Sequence, residues 1–234
     1  MKINFPLLAL AVGAFAIGTT EFSPMGFLPE IANDLSVSIP QAGLLISAYA
    51  VGVMIGAPLM TLWLARFPKK TALILLMAIF TIGNVLATVA PDYMSLMSAR
   101  LITSLNHGAF FGLGSVVAAS VVPKDKQASA VAMMFMGLTI ANIGGVPLAT
   151  WLSQNTSWRM AFAAISILGI MTMLALWKAL PQDHDVVKPN VAKELRVLTR
   201  APVVLALLTT VMSAGAMFAL YTYIAPSLHV FMQA

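Results

Sequence analysis

The chain has no cysteine among its 234 residues, and only 9% of them are charged. The first absence excludes disulfides and thiolate metal sites. The second excludes a soluble core, because soluble domains carry roughly 25% charged residues. Acidic residues are the scarcer sign, 8 against 13 basic, which leaves a net charge of +5. Zinc-ligand spacings, phosphate-binding loops and nucleophile elbows are all missing. No paired catalytic carboxylates and no nucleophile with its base share a depth, so the chain is not expected to be an enzyme. Neither a metal nor a cofactor is expected.

What is present in quantity is apolar surface, at 60% of the residues. A membrane span needs about 20 mostly apolar residues. Seven runs reach that length, roughly 5–28, 41–64, 71–90, 93–118, 128–152, 158–180 and 202–225. The first run follows Lys2 as a signal peptide would, but it is too long and no small-residue cleavage site follows it. Pro24, Pro29 and Glu30 come instead, so it reads as a retained span. A polar stretch from Pro181 to Arg200 separates the last two runs. It reads as a cytoplasmic linker, with Val191, Leu195 and Leu198 on one side of a short surface helix. The expected organisation is therefore a six-helix unit over 1–180, a linker over 181–200 and a further helix within 201–234.

The charges sort by side. Lys2, Arg66, Lys69, Lys70, Lys124, Lys126, Lys178, Lys188, Lys193, Arg196 and Arg200, eleven of the thirteen basic residues, fall in alternate gaps. Basic loops stay cytoplasmic, so the N-terminus is expected inside and the membrane accounts for the positive charge without nucleic acid. The opposite side holds Glu30, Asp34, Asp92 and Arg159. Trp63, Trp151, Trp158 and Trp177 fall at run ends, where amphipathic rings favour the interface.

An internal echo links oppositely running spans. Gly56-Ala57-Pro58-Leu59 in the second run matches Gly145-Val146-Pro147-Leu148 in the fifth, the trace that two inverted three-helix repeats leave. Small residues also recur every fourth position. Gly137, Ala141, Gly145 and Ala149 do so in span five, Ala48, Gly52 and Gly56 in span two, and Ser104, Gly108 and Gly112 in span four. Such stripes let helices approach closely, either for static packing or for sliding during a cycle.

Three ionisable groups interrupt the apolar runs, namely Glu21, Arg100 and His107. A group of this kind inside a span is costly and marks a functional candidate. At 1.5 Å rise per residue, Glu21 and Arg100 each lie about 10 Å below the outer surface. They are expected to meet and offset each other's desolvation. His107 falls on nearly the same face as Arg100 and about 10 Å deeper, with Asn106 about 100° round the helix. One reading is that Glu21 binds a proton or a cationic or polar substrate, but not both at once. Burial disfavours a carboxylate and a nearby arginine favours it, so separating Glu21 from Arg100 changes proton affinity. The other reading is a static ion pair and a packing histidine. Asn84, Asn142, Thr209, Thr210, Tyr221 and Tyr223 are candidates for substrate contact or for helix–helix hydrogen bonds.

Several stretches resemble the major facilitator superfamily, in particular the N-terminal half of its twelve-span drug:proton antiporters and arabinose-efflux-like permeases. They are Thr20-Glu21-Phe22-Ser23-Pro24-Met25-Gly26 running on to Asp34-Leu35, Arg100 with Asn106-His107-Gly108-Ala109, the glycine-rich fifth span, and Ser157-Trp158-Arg159-Met160. The likeness covers the whole chain. It implies an all-α membrane bundle of two inverted three-helix repeats, with spans one and four lining a central cavity. Residues 201–234 would then begin a second bundle, whose remainder is an expected partner for activity. Expected function is secondary efflux of a small molecule (drug, sugar or nucleoside-like) by alternating access in the inner membrane, driven by the proton gradient. Arg100 matches the fourth-span arginine that is a candidate for proton coupling. Two departures stand out. The gate loop reads Ala65-Arg66-Phe67-Pro68-Lys69-Lys70, without the family's acid and glycine. In span five, Ala141-Asn142 replaces the Gly-Pro of the antiporter signature. Competing readings are an inactive truncated transporter, a seven-span receptor and a structural membrane protein.

Overall fold

The computed structural model describes residues 4–181 and 200–232. Among these residues every regular element is helical. Seven segments are long and apolar enough to cross a membrane, matching the seven runs. Span one is α1 (Phe5–Gly26), followed by a short helix, α2 (Leu28–Asp34). Spans two and three are α3 (Ile39–Leu64) and α4 (Lys69–Thr88). Span four is split into α5 (Tyr93–Ser104) and α6 (His107–Ser120). Span five comprises α7 (Gln127–Ile140), a π turn over Ala141–Gly145 and α8 (Val146–Asn155). Span six is α9 (Trp158–Ala179) and span seven is α10 (Ala201–Met232), which runs beyond the expected end near residue 225. The linker helix and Lys2, His184, Lys188, Lys193 and Arg196 lie outside the described residues, as does the side chain of His229.

Local chemistry sets the helix starts. Side-chain oxygens of Asn4, Ser38 and Ser157 accept backbone N–H groups of α1, α3 and α9, and Asp92 closes a capping box with Ser95 on α5. Each cap satisfies an N–H that the first turn leaves without a partner. The break in span four also has a local cause. The Ser104 hydroxyl donates to the Leu101 carbonyl at 2.7 Å. That carbonyl is the acceptor Leu105 would use in a continuous helix, and Leu105 N–H turns to Ile102 instead, at 3.3 Å. A side chain bonding back to the main chain in this way competes with the helical ladder. In span five, Pro147 brings no N–H to the carbonyl of Ile143, and Val146 N–H reaches back five residues to Ala141. A proline within a helix favours such wide turns.

Packing follows the echo seen in the sequence. Span one packs on span five, span two on span four, and span three on span six. Exchanging one with four, two with five and three with six maps this set onto itself, as two inverted repeats require. Small residues make both related interfaces. Gly137 and Gly145 leave no room for a Cβ against Ala11, Phe15 and Thr19 of α1. Gly52 and Gly56 do the same against Ser104 and Leu105. Ala141 is buried against Gly18. Behind them, Leu7, Leu10, Ala14 and Ile17 of α1 are buried at helical spacing, and Phe80, Phe110 and Phe162 fill the interior. Apolar side chains facing outward, such as Ile167, Ile170 and Leu174 of α9, are what lipid-facing surface needs.

Hydrogen bonds stitch the two ends of the bundle. At one end Asn4 donates to Val121 and Lys70 to Leu180. At the other, Arg159 Nη1 donates to Asp34 at 2.5 Å and its Nη2 to Ala90 at 2.9 Å, Trp158 Nε1 donates to Asp34 at 3.0 Å, and Tyr93 donates to Gln41. Arg66, Lys69, Lys70, Lys124, Lys126 and Lys178 share the first end. Glu30, Asp34, Asp92 and Arg159 share the second. The fold therefore keeps the charge asymmetry read from the sequence.

Candidate functional site

Glu21, Arg100 and His107 come together where α1, α3 and span four meet, but not in the expected pairing. Glu21 Oε2 stands 3.8 Å from His107 Nε2, an ion pair whenever the imidazole carries a proton. Arg100 has no carboxylate within 4 Å among the described residues. Its Nη1 donates to the Thr20 carbonyl at 2.9 Å, and its guanidinium lies over the Tyr49 ring, 4.2 Å from the centroid. Equal depth along the helices thus did not predict contact. A Cα–Cβ bond tilts toward the start of its own helix. Spans one and four run in opposite directions, so Glu21 leans toward the basic end and Arg100 away from it. His107, about two turns deeper by ideal geometry, leans back toward Glu21. The irregular turn at Leu105 and Asn106 also breaks the stripe that Arg100 and His107 would share on a straight helix.

Tyr49 is the member of the cluster that sequence reasoning missed. Its phenol oxygen is 3.1 Å from His107 Nδ1, and the side chain is almost fully buried. With the phenol O–H donating to Nδ1, Nε2 is the nitrogen left to hold a proton toward Glu21. The one available signal was a lone tyrosine midway through an otherwise apolar span. Thr20 supports the same cluster, its hydroxyl donating to Asn84 Oδ1 at 2.7 Å while Asn84 donates to Phe80.

A cavity of about 490 Å³ opens between α1, α3 and α10. Glu21 is the charged residue on its wall. Ser47, Tyr49, Thr222 and Tyr223 also line it, as does Phe218, whose ring stacks on Phe22 at 5.5 Å. Arg100 and His107 stand behind this wall rather than on it. Asn106 is fully buried at the break in span four, with neither amide atom bonded among the described residues. It does not reach the cavity.

The expected gate and packing residues separate by role. Arg66 lies over Trp63 and Phe67, at 5.1 and 5.4 Å from the ring centroids. Lys70 caps the end of α9 through Leu180, and Lys69 borders a second cavity of about 260 Å³ with Met60, Leu64 and Phe67. Gly137, Ala141 and Gly145 form the contact with α1, and Pro147 opens α8. Thr209, Thr210 and Asn142 bond their own helical carbonyls, so of the other polar candidates Tyr223 is the one that faces the cavity.

Comparison with known proteins agrees with this architecture. The sequence model of the Major Facilitator Superfamily matches residues 10–233. The chain is 68% identical over 228 residues to the inner membrane transport protein YdhP of Escherichia coli (strain K12), covering 97% of this chain and 59% of that protein. It is 38% identical to the putative transporter AraJ of the same organism, with 94% and 56% covered. It is 32% identical to a chloramphenicol resistance protein of Streptomyces lividans, with 94% and 57% covered. The chain thus spans less than three-fifths of the length of these relatives. Among solved structures, a bacterial homologue of the human lysosomal transporter Spinster, inward-facing and unoccupied, superposes with a TM-score of 0.76 at 18% identity, covering 95% of this chain and 54% of that one. At that identity the likeness concerns the fold.

Proposed function

The chain belongs to the major facilitator superfamily, and from that membership we propose that it forms the N-terminal part of a proton-coupled exporter of small molecules in the inner membrane. The N-terminus lies in the cytoplasm, and residues 201–234 begin the second bundle that closes the transport path. Glu21 binds a proton in one phase of the cycle and gives it up as substrate enters in the other. His107, held by Tyr49, stabilises the carboxylate when it is charged. Arg100 keeps positive charge behind the cavity wall and disfavours a second cation there. Arg66, Lys69 and Lys70 secure the cytoplasmic ends of spans two, three and six while the two bundles rock.

The observation that carries this reading is Glu21 itself, the charged residue on the wall of a 490 Å³ cavity and backed by a half-buried histidine. A carboxylate placed so can exchange between solvent and protein partners, which a static pair sealed from the cavity cannot. The relative named for chloramphenicol resistance supports efflux as the direction.

The test is an accumulation assay in cells that make this chain together with the part of the E. coli relative that it leaves uncovered. Chloramphenicol, ethidium and radiolabelled sugars serve as probes. Lower accumulation of at least one probe, abolished by a protonophore, is the expected result. Accumulation equal to that of empty cells for all three classes, with the protein present in the membrane, contradicts the proposal.

A further inference from the structure

The Thr20 carbonyl that Arg100 grips is not an ordinary helical carbonyl. In an α-helix it would accept the N–H of residue 24, and residue 24 is proline, which has none. A backbone oxygen inside a bundle and without a donor is costly. Arg100 supplies the donor at 2.9 Å, and the Thr20 hydroxyl lies 3.5 Å from the same Nη1. Thr20 is in turn fixed by Asn84 of α4. Arg100 is 1% exposed, its Nε and Nη2 have no partners among the described residues, and Tyr49 closes over its face. The guanidinium is thus anchored at a single backbone atom, the carbonyl of the residue before Glu21.

We propose that Pro24 and Thr20 are positioning residues, and that the carbonyl Pro24 leaves open draws Arg100 onto the backbone of α1 and holds it off the Glu21 carboxylate. Without this anchor Arg100 would pair with Glu21 directly, since the two are neighbours on adjoining helices. Glu21 is instead left to His107, a partner that can itself gain and lose a proton, whereas arginine cannot. The proline at 24 selects a partner for Glu21 that titrates. This inference rests on the reading of Glu21 as the exchanging group.

The experiment uses Pro24→Ala, Arg100→Gln and the double variant of this chain, purified in detergent, with unfolding followed by tryptophan fluorescence. Arg100→Gln leaves the Thr20 carbonyl without its donor and is expected to lower the Tm by about 5 °C. Pro24→Ala restores an N–H to that carbonyl, so the double variant recovers at least half of the loss. A loss in the double variant equal to the sum of the two single effects overturns the proposal. The second measurement needs only Pro24→Ala and does not depend on Arg100→Gln folding. The infrared carboxyl band of Glu21, identified by its disappearance in Glu21→Gln, shifts in Pro24→Ala as the guanidinium moves onto the carboxylate. An unmoved band overturns the proposal as well. Neither readout requires transport, so a failure of the exporter reading in cells is distinguishable from a failure of the anchor.

Discussion

At the scale of single residues, the cluster divides into groups that carry charge and groups that aim it. Tyr49 belongs to the second kind. Its bond to His107 fixes which imidazole nitrogen faces Glu21. Tyr49→Phe keeps the ring over Arg100 and removes only that bond. The expected cost is about 1 kcal/mol of stability, read from the thermal midpoint, together with a clear fall in proton-driven export. An unchanged export rate would show that the imidazole needs no such orientation. The sequence made Glu21, Arg100 and His107 visible because charge is rare in spans. It did not make their pairing visible. Helical rise gave depths, but side-chain lean and the Pro24 gap decided which atoms meet. Tyr49 was hidden because an aromatic residue in a span draws no attention by composition.

At the scale of elements, close approach and end-to-end stitching carry the account. A Cβ at Gly137 would fall on the Ala11 carbonyl of α1, whereas one at Gly112 would meet nothing within 4 Å. Gly137→Ala is expected to cost about 1–3 kcal/mol through forced separation of α7 and α1. Gly112→Ala is expected to be neutral or stabilising by up to about 1 kcal/mol, since alanine favours helix. Thermal unfolding of the two variants side by side checks both signs. At the end opposite the basic loops, the hydrogen bond from Arg159 holds the Asp34 carboxyl below the usual carboxylate range. A depressed folded value means that stabilisation is present above the unfolded value, about 3.9, and is lost as pH falls through the folded one. Asp34→Asn should therefore lower the Tm at neutral pH by about 2 °C, and the gap to the parent chain should close in acid. A gap that widens in acid would contradict the assignment. The ends of spans one to six were legible to within a few residues, because the apolar runs stop at caps and prolines. The break in span four was not, since it depends on where one serine hydroxyl points.

At the scale of the whole molecule, the two ends differ in charge, and that difference sets a testable orientation. The chain has no cysteine of its own, so single cysteines can be placed on a silent background. Asn33→Cys and Asp125→Cys lie at opposite ends and both sites are exposed. With the basic end in the cytoplasm, an impermeant maleimide should label the first in intact cells and the second only after lysis. The inverted repeat was legible from one short echo, and the packing of spans one on five and two on four gives that echo its physical meaning. The cavity was not legible, because its wall combines α10 with two helices far from it in sequence. The most direct test of the central claim compares two fluxes in everted vesicles that contain this chain and its complementary part, using whichever probe the accumulation assay singles out. One flux is driven by an imposed pH gradient, and the other is exchange of the probe at equal concentrations with no net proton movement. For Glu21→Gln, coupling through this carboxylate predicts that driven flux falls to the vesicle background while exchange persists. Driven flux at the parent rate would contradict it.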